Sequence, residues 1–276
     1  MFRDALLSYY SEKAEIITYN YYLAVKRDVD GIHDMRVAIK RMKALFNLLQ
    51  AAGIDFDAKK RFKHFKRIAK NSGQLRDAQV QCDLMTKANK KQKRDLSGYE
   101  AYLANMEEEG FQQFRKFSKC DPLSKLKGKK KIISHTLKIS TPVRAETMSR
   151  GRFINLLNNL IMAGRDPEYH EENLHKVRIL SKEIHYTFEI LTGCLGLYED
   201  RTEFPVNIKK VHSVLGKWHD CEVCLDLIAD YAAQSGEGGK GTPLDSFARD
   251  IRDEKKRLRD KYKGAVAEFI EYAVVF

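Results

Sequence analysis

Apolar residues recur at intervals of three and four along nearly the whole chain, the period of an amphipathic helix with one buried face. Only five prolines interrupt the pattern, at positions 122, 142, 167, 205 and 243. The spacing predicts an all-α protein with helices over 2–28, 31–52, 55–72, 75–94, 97–120, 122–138, 143–164, 168–192, 203–216, 219–234 and 244–273. Pro142, Asp166-Pro167 and Pro243 stand where a helix would begin, because proline fits the first turn and loses no hydrogen bond there. Ser235 to Thr242 holds too many glycines for a helix and reads as a loop. It is a poor phosphate-binding P-loop, since Gly239-Lys240-Gly241-Thr242 lacks the Gly-Lys-Ser/Thr order and no strand precedes it.

The polar positions carry a second pattern. His33, Arg36, Lys40 and Lys43 are spaced i, i+3, i+7 and i+10, and His175, Arg178, Lys182 and His185 repeat that spacing 142 residues later. Such positions fall within about 80° of one another on a helix, so each set forms one cationic stripe. Met35, Ile39, Met42, Leu45, Phe46 and Leu49 form the apolar face opposite the first stripe. Val177, Leu180, Ile184, Phe188 and Leu191 do the same for the second. Solvated helix faces usually mix acids with bases, and these stripes have no acid at any matching position.

A second repeated block follows each stripe. Gly73-Gln-Leu-Arg76-Asp77-Ala-Gln-Val80 matches Gly216-Lys-Trp-His219-Asp220-Cys-Glu-Val223 at an offset of 143 residues. Two blocks in one order at nearly one offset point to an internal duplication, about 1–120 and about 121–276, within a single domain spanning 1–276. Each half would be an antiparallel helical set with a glycine turn, and pseudo-symmetry would set the two stripes facing one channel.

Charge narrows the partner. With 50 Lys+Arg against 38 Asp+Glu the net charge is +12, which favours a polyanion: nucleic acid, an acidic membrane surface or a phosphate polymer. Lys63, Lys66, Arg67 and Lys70 extend the cationic surface on the next helix, and Lys209 and Lys210 match Lys66 and Arg67 in the second half. Arg76 and His219 follow the glycine blocks, where a helix start would add backbone N–H groups for an anion, and Asp77 and Asp220 read as caps or cation partners. A metal-dependent phosphohydrolase built on His219-Asp220 with His175, His185 and His212 is disfavoured, because Arg76 stands at the matching position and cannot ligate a metal. No metal, cofactor or catalytic constellation is expected. Phe62, Phe65, Phe111, Phe114 and Tyr186 have the spacing of core residues rather than base-stacking platforms. The lysine clusters at Lys87–Arg94, Lys125–Lys131 and Arg252–Lys263 leave nucleic acid as the alternative partner.

Five cysteines, no signal-peptide pattern and no apolar run long enough to span a bilayer lead to an expectation of a cytoplasmic protein without membrane insertion. Cys221-x-x-Cys224 lies in a helical pattern and reads as inert.

These blocks resemble the CHAD family, the conserved histidine α-helical domain. The resemblance rests on His33-Asp-Met-Arg36-Val-Ala-Ile-Lys40 with Ser72-Gly73-Gln-Leu-Arg76-Asp77, and on His175-Lys-Val-Arg178-Ile-Leu-Ser-Lys182 with Leu215-Gly216-Lys-Trp-His219-Asp220. It implies two pseudo-symmetric antiparallel helical bundles around a central basic groove or pore that binds inorganic polyphosphate without catalysis. An association with polyphosphate granules would follow. Ser72, His185 and His219 depart from the leucine and arginines usual in the family. The two histidines are weaker cations at neutral pH, so the second half should grip an anion less firmly.

Overall fold

The computed structural model describes residues 2–52, 56–90, 92–120, 122–124, 126–139, 141–166 and 168–274. Among these residues the chain forms ten α-helices and no strand: α1 (Phe2–Val25), α2 (Val29–Ala52), α3 (Ala58–Asn71), α4 (Gly73–Asn89), α5 (Ser97–Ser118), α6 (Leu126–Ile139), α7 (Pro142–Gly164), α8 (Glu171–Leu195), α9 (Phe204–Ser235) and α10 (Pro243–Val274). The fold is all-α, as the periodicity predicts. No helix among the described residues is long and apolar enough to cross a membrane. Pro167, Lys91 and Lys125, which figure in the sequence expectations, lie outside the described residues.

Capping fixes several boundaries. Thr141 accepts from the Arg144 backbone N–H at 3.3 Å ahead of Pro142, and Asp57 accepts from that of Lys60 at 2.8 Å. Between α9 and α10, the glycine loop uses left-handed backbone at Gly236 (φ 75°) and Gly241 (φ 87°), and Thr242 then accepts from the Asp245 N–H at 3.1 Å.

Helices pack as neighbours, α1 on α2, α4 on α5, α7 on α8, α8 on α9 and α9 on α10. Across the middle, α2 packs on α7 and α8, α1 on α8, and α4 on α9. Shifting α2 by the 142-residue offset of the sequence blocks gives 171–194, within one residue of α8. The same shift carries Phe46 and Phe62 onto Phe188 and Phe204. Each pair forms a core contact: Phe46 lies 6.3 Å from Phe62 between ring centroids, and Phe188 lies 4.5 Å from Phe204. Phe46 also meets Phe56 and Phe65, and Phe204 meets Phe153 and Phe269, so an aromatic hub anchors each set of helices.

The two glycine blocks differ from the expected turns. In the first, α3 and α4 are separated only by Ser72, whose hydroxyl donates to the Ile68 carbonyl at 3.1 Å. In the second, the predicted turn at Gly216 is absent. One helix runs from Phe204 to Ser235, and His219 and Asp220 lie in its middle, so neither caps a helix there. Glycine in a helix costs only about 1 kcal/mol relative to alanine, which burial of Val211, Leu215 and Trp218 outweighs. A Cβ at Gly216 would meet nothing within 4 Å, whereas one at Gly110 would lie 2.7 Å from the Leu75 backbone nitrogen where α5 crosses α4. Gly216→Ala is therefore expected to stabilise the protein by about 0.5–1 kcal/mol, and Gly110→Ala to destabilise it, in urea unfolding followed by circular dichroism.

Candidate functional site

The apolar faces of α2 and α8 turn inward, with Met35, Met42, Val177 and Ile184 fully buried. That orientation turns both cationic stripes toward the space between the two helices, which α4 and α9 close at one side. A cavity of about 400 Å³ lies there, lined by Arg36, Lys40, Lys43 and Ala44 of α2, Asp77 of α4, Arg178, Ile179, Lys182, Glu183 and Tyr186 of α8, and His219 of α9. Residues 142 positions apart, Arg36 with Arg178 and Lys40 with Lys182, thus share one cavity.

The cations differ in what they already hold. Arg36 donates from Nη1 to the Ala69 carbonyl at 2.6 Å and to Ser72 Oγ at 3.2 Å, closing the end of α3 at the one-residue break. The unbroken α9 offers Arg178 no such carbonyl, and its Nε is buried without a hydrogen-bond partner. Among the described residues, Lys40, Lys43, Arg178 and Lys182 make no salt bridge. Elsewhere Arg41 is bidentate to Glu189 at 2.8 and 3.0 Å, Arg152 pairs with Glu183, and Lys255 pairs with Glu171 at 2.8 Å.

Unpaired cations crowded together perturb one another. Burial, reinforced by Arg36, Arg178 and Arg76, lowers Lys40 to about 8, and Asp77 only partly compensates. Burial, reinforced by Arg178 and Lys40, lowers Lys182 to about 7. Burial also lowers Arg36 and Arg178, and it raises Asp77 and Asp220 despite the cations around them. The two aspartates are thus electrostatic partners of the cations, Asp77 facing Arg36, His219, Arg76 and Lys40. Arg41 and Glu189 clamp α2 to α8 beside the cavity. Burial opposes ionisation of Glu189, but hydrogen bonds from His185 and Arg41 outweigh it and hold the carboxyl at about 2.

The remaining sequence candidates are placed around this centre or away from it. His33 lies at the surface near Arg76 and Lys40, where partial desolvation of its ring together with the Arg76 charge lowers its pKa. His175 stands 5.8 Å from His219 between ring centroids, and His219 Nδ1 is 3.0 Å from Glu222. Arg76 occupies the first turn of α4 and does not line the cavity, though its charge acts on Lys40. His185 turns to Glu189 at 3.2 Å and to His212. Burial and the neighbouring His185 lower His212 to about 4. Lys63, Lys66, Arg67 and Lys70 are exposed on α3 outside the cavity, with Arg67 over the Phe117 ring of α5. Lys209 is exposed, and Lys210 lines a separate groove between α9 and α10, 3.8 Å from Glu268. Tyr186, read from sequence as a core residue, packs partly buried against the core and also lines the cavity beneath the Arg41 guanidinium, which lies 5.2 Å from its ring centroid. Ile179 and Glu183, at one residue beyond Arg178 and Lys182, complete the wall and escape a reading confined to the basic spacing.

Burial raises Cys221 and Cys224 to about 11 and about 12, which leaves them protonated and unreactive within α9.

The same fold occurs in known proteins. A crystal structure of the CHAD domain from the plant Ricinus communis superposes with a TM-score of 0.69 at 17% identity, covering 97% of this chain and 92% of that one. PptA from Streptomyces chartreusis superposes with a TM-score of 0.69 at 13% identity, covering 95% of this chain and 98% of that one. Comparison with the curated proteins gives no match. The profile of the CHAD domain matches residues 12–229, and the chain belongs to the CHAD domain family.

Proposed function

We propose that this protein is a non-catalytic receptor for inorganic polyphosphate, held in the cavity between α2 and α8. The observation that carries this reading is the set of unpaired cations around one cavity: Lys40 and Lys43 from α2, and Arg178 and Lys182 from α8, with no salt bridge among the described residues. Crowding like charges costs free energy in the empty protein, and a linear phosphate polymer offsets that cost by supplying repeated negative charge at short intervals. Arg36, Arg178 and the lysines would supply the charge, while His219, His33 and His175 would add directional N–H donors at the cavity and its margins. In this reading residues 1–276 form one domain, and helices from about 1–120 and about 121–276 contribute equivalent walls to one site. The matched positions of α2 and α8 support it. Such a protein would concentrate wherever cytoplasmic polyphosphate accumulates, granules included.

Nucleic acid is the second reading, favoured by the exposed lysines of α3 and α10. The two differ in where the anion sits. Long polyphosphate is expected to displace a bound RNA at a phosphate concentration at least about tenfold lower than RNA needs to displace polyphosphate, because bases and sugars add bulk that a cavity of about 400 Å³ must accommodate along with the phosphates. Fluorescence competition at fixed salt measures this, and displacement favouring RNA would replace the polyphosphate reading with the nucleic-acid one.

A further inference from the structure

We infer that Lys182 is a site of acylation by small acyl phosphates, which the cavity collects by their phosphate group and presents to the lysine amine. This inference rests on the anion-binding reading of the cavity.

Lys182 lines the cavity from α8. Arg36, Lys40 and Lys43 face it from α2, Asp77 from α4, Arg178 and Glu183 from its own helix, and His219 from α9. Asp220 of α9 also acts on it. The carboxylates are engaged elsewhere or outnumbered. Glu183 accepts from Asn47 at 2.9 Å and pairs with Arg152, and Asp77 sits among Arg36, His219, Arg76 and Lys40. An amine so placed sheds its proton readily: burial, Arg178 and Lys40 bring Lys182 to about 7. At pH 7 about half of the side chain is then the neutral nucleophile, against about one part in three thousand for a lysine in water.

The same cations that neutralise the amine attract a phosphate group. An acyl phosphate brings two negative charges to a cavity lined by five lysines and arginines, so it reprotonates Lys182 less than a polymer does, and the amine that stays neutral attacks the carbonyl carbon with its nitrogen lone pair. The carbon–oxygen bond to phosphorus then breaks, and phosphate leaves with the electron pair. The proton lost by nitrogen passes to the departing phosphate or to water. The product is a neutral amide that removes a cation and occupies the cavity, so acylation and polyanion binding exclude one another.

Acetyl phosphate at pH 7, with site occupancy followed by peptide mass spectrometry, tests the inference. Lys217 and Lys261, exposed in the separate groove between α9 and α10, serve as internal references. Lys182 is expected to be acetylated at least about tenfold faster than either, the gain in neutral fraction exceeding the loss of intrinsic basicity. Excess tripolyphosphate should remove that advantage. Equal rates at all three lysines overturn the inference, and an advantage that tripolyphosphate leaves intact overturns the capture step. A parallel titration with tripolyphosphate separates the two readings: binding with equal rates overturns acylation alone, whereas no binding overturns the proposed function as well.

Discussion

Reversing three cavity charges together, in Lys40→Glu/Arg178→Glu/Lys182→Glu, is expected to weaken polyphosphate binding by roughly three orders of magnitude or more. Helical circular dichroism should be retained. All three side chains line the cavity, and none holds a salt-bridge partner among the described residues, so no existing ion pair is broken. Arg36 is left intact because it closes the end of α3 through Ala69 and Ser72, and its loss would confuse binding with folding. The control is Lys63→Glu/Lys66→Glu/Lys70→Glu, which changes net charge equally on the exposed face of α3. Outside the cavity, these charges act through solvent and are screened over about 8 Å at physiological salt, so the control should lose no more than about tenfold. Equal losses in the two variants, measured by fluorescence titration, would mean that bulk charge rather than the cavity drives binding.

Binding is also expected to take up protons, since Lys182 and Lys40, near 7 and 8 in the empty protein, would return toward ordinary lysine behaviour beside an anion. Uptake should be close to zero at pH 6, about one proton at pH 7.5 and nearer two at pH 8.5. Affinity should correspondingly fall roughly a hundredfold from pH 6 to pH 8.5, beyond any titration of the polymer ends. Calorimetry in buffers of different ionisation enthalpy reads the uptake directly. Lys182→Arg, which stays charged throughout, should remove the larger share of it. The same lysines govern the empty protein in the opposite sense. Their folded pKa values lie below the unfolded one, so the unfolded chain binds more protons between about pH 7 and 10.5, and stability contributed by these two groups rises with pH across that window.

The sequence made α2 and α8 legible because a strict apolar period and a one-sign polar stripe occupy opposite sides of the same helix. Burial of Met35 and Val177 then determines where Arg36 and Arg178 point. The α3 stripe has the same local signature, but Phe65 and Ile68 bury its other side against different neighbours, so its lysines face outward away from the cavity. Spacing along one helix carries no information about which neighbour it meets. Gly216 shows a second limit, since glycine marks a turn only when packing does not favour continuing the helix. Glu183 and Tyr186 enter the site because α8 packs against α2, and the ion pair of Lys210 with Glu268 depends on the packing of α10 against α9. Neither is a local property of sequence.

If both sets of helices build one site, a short polyphosphate binds with a stoichiometry of one per chain. Calorimetric titration with tripolyphosphate is carried out on the wild type, Lys40→Ala and Lys182→Ala. A shared cavity predicts one tight site per chain in all three proteins, with affinity reduced in both variants and the number of sites unchanged. Two sites per chain in the wild type, of which each substitution abolishes one and spares the other, would contradict it.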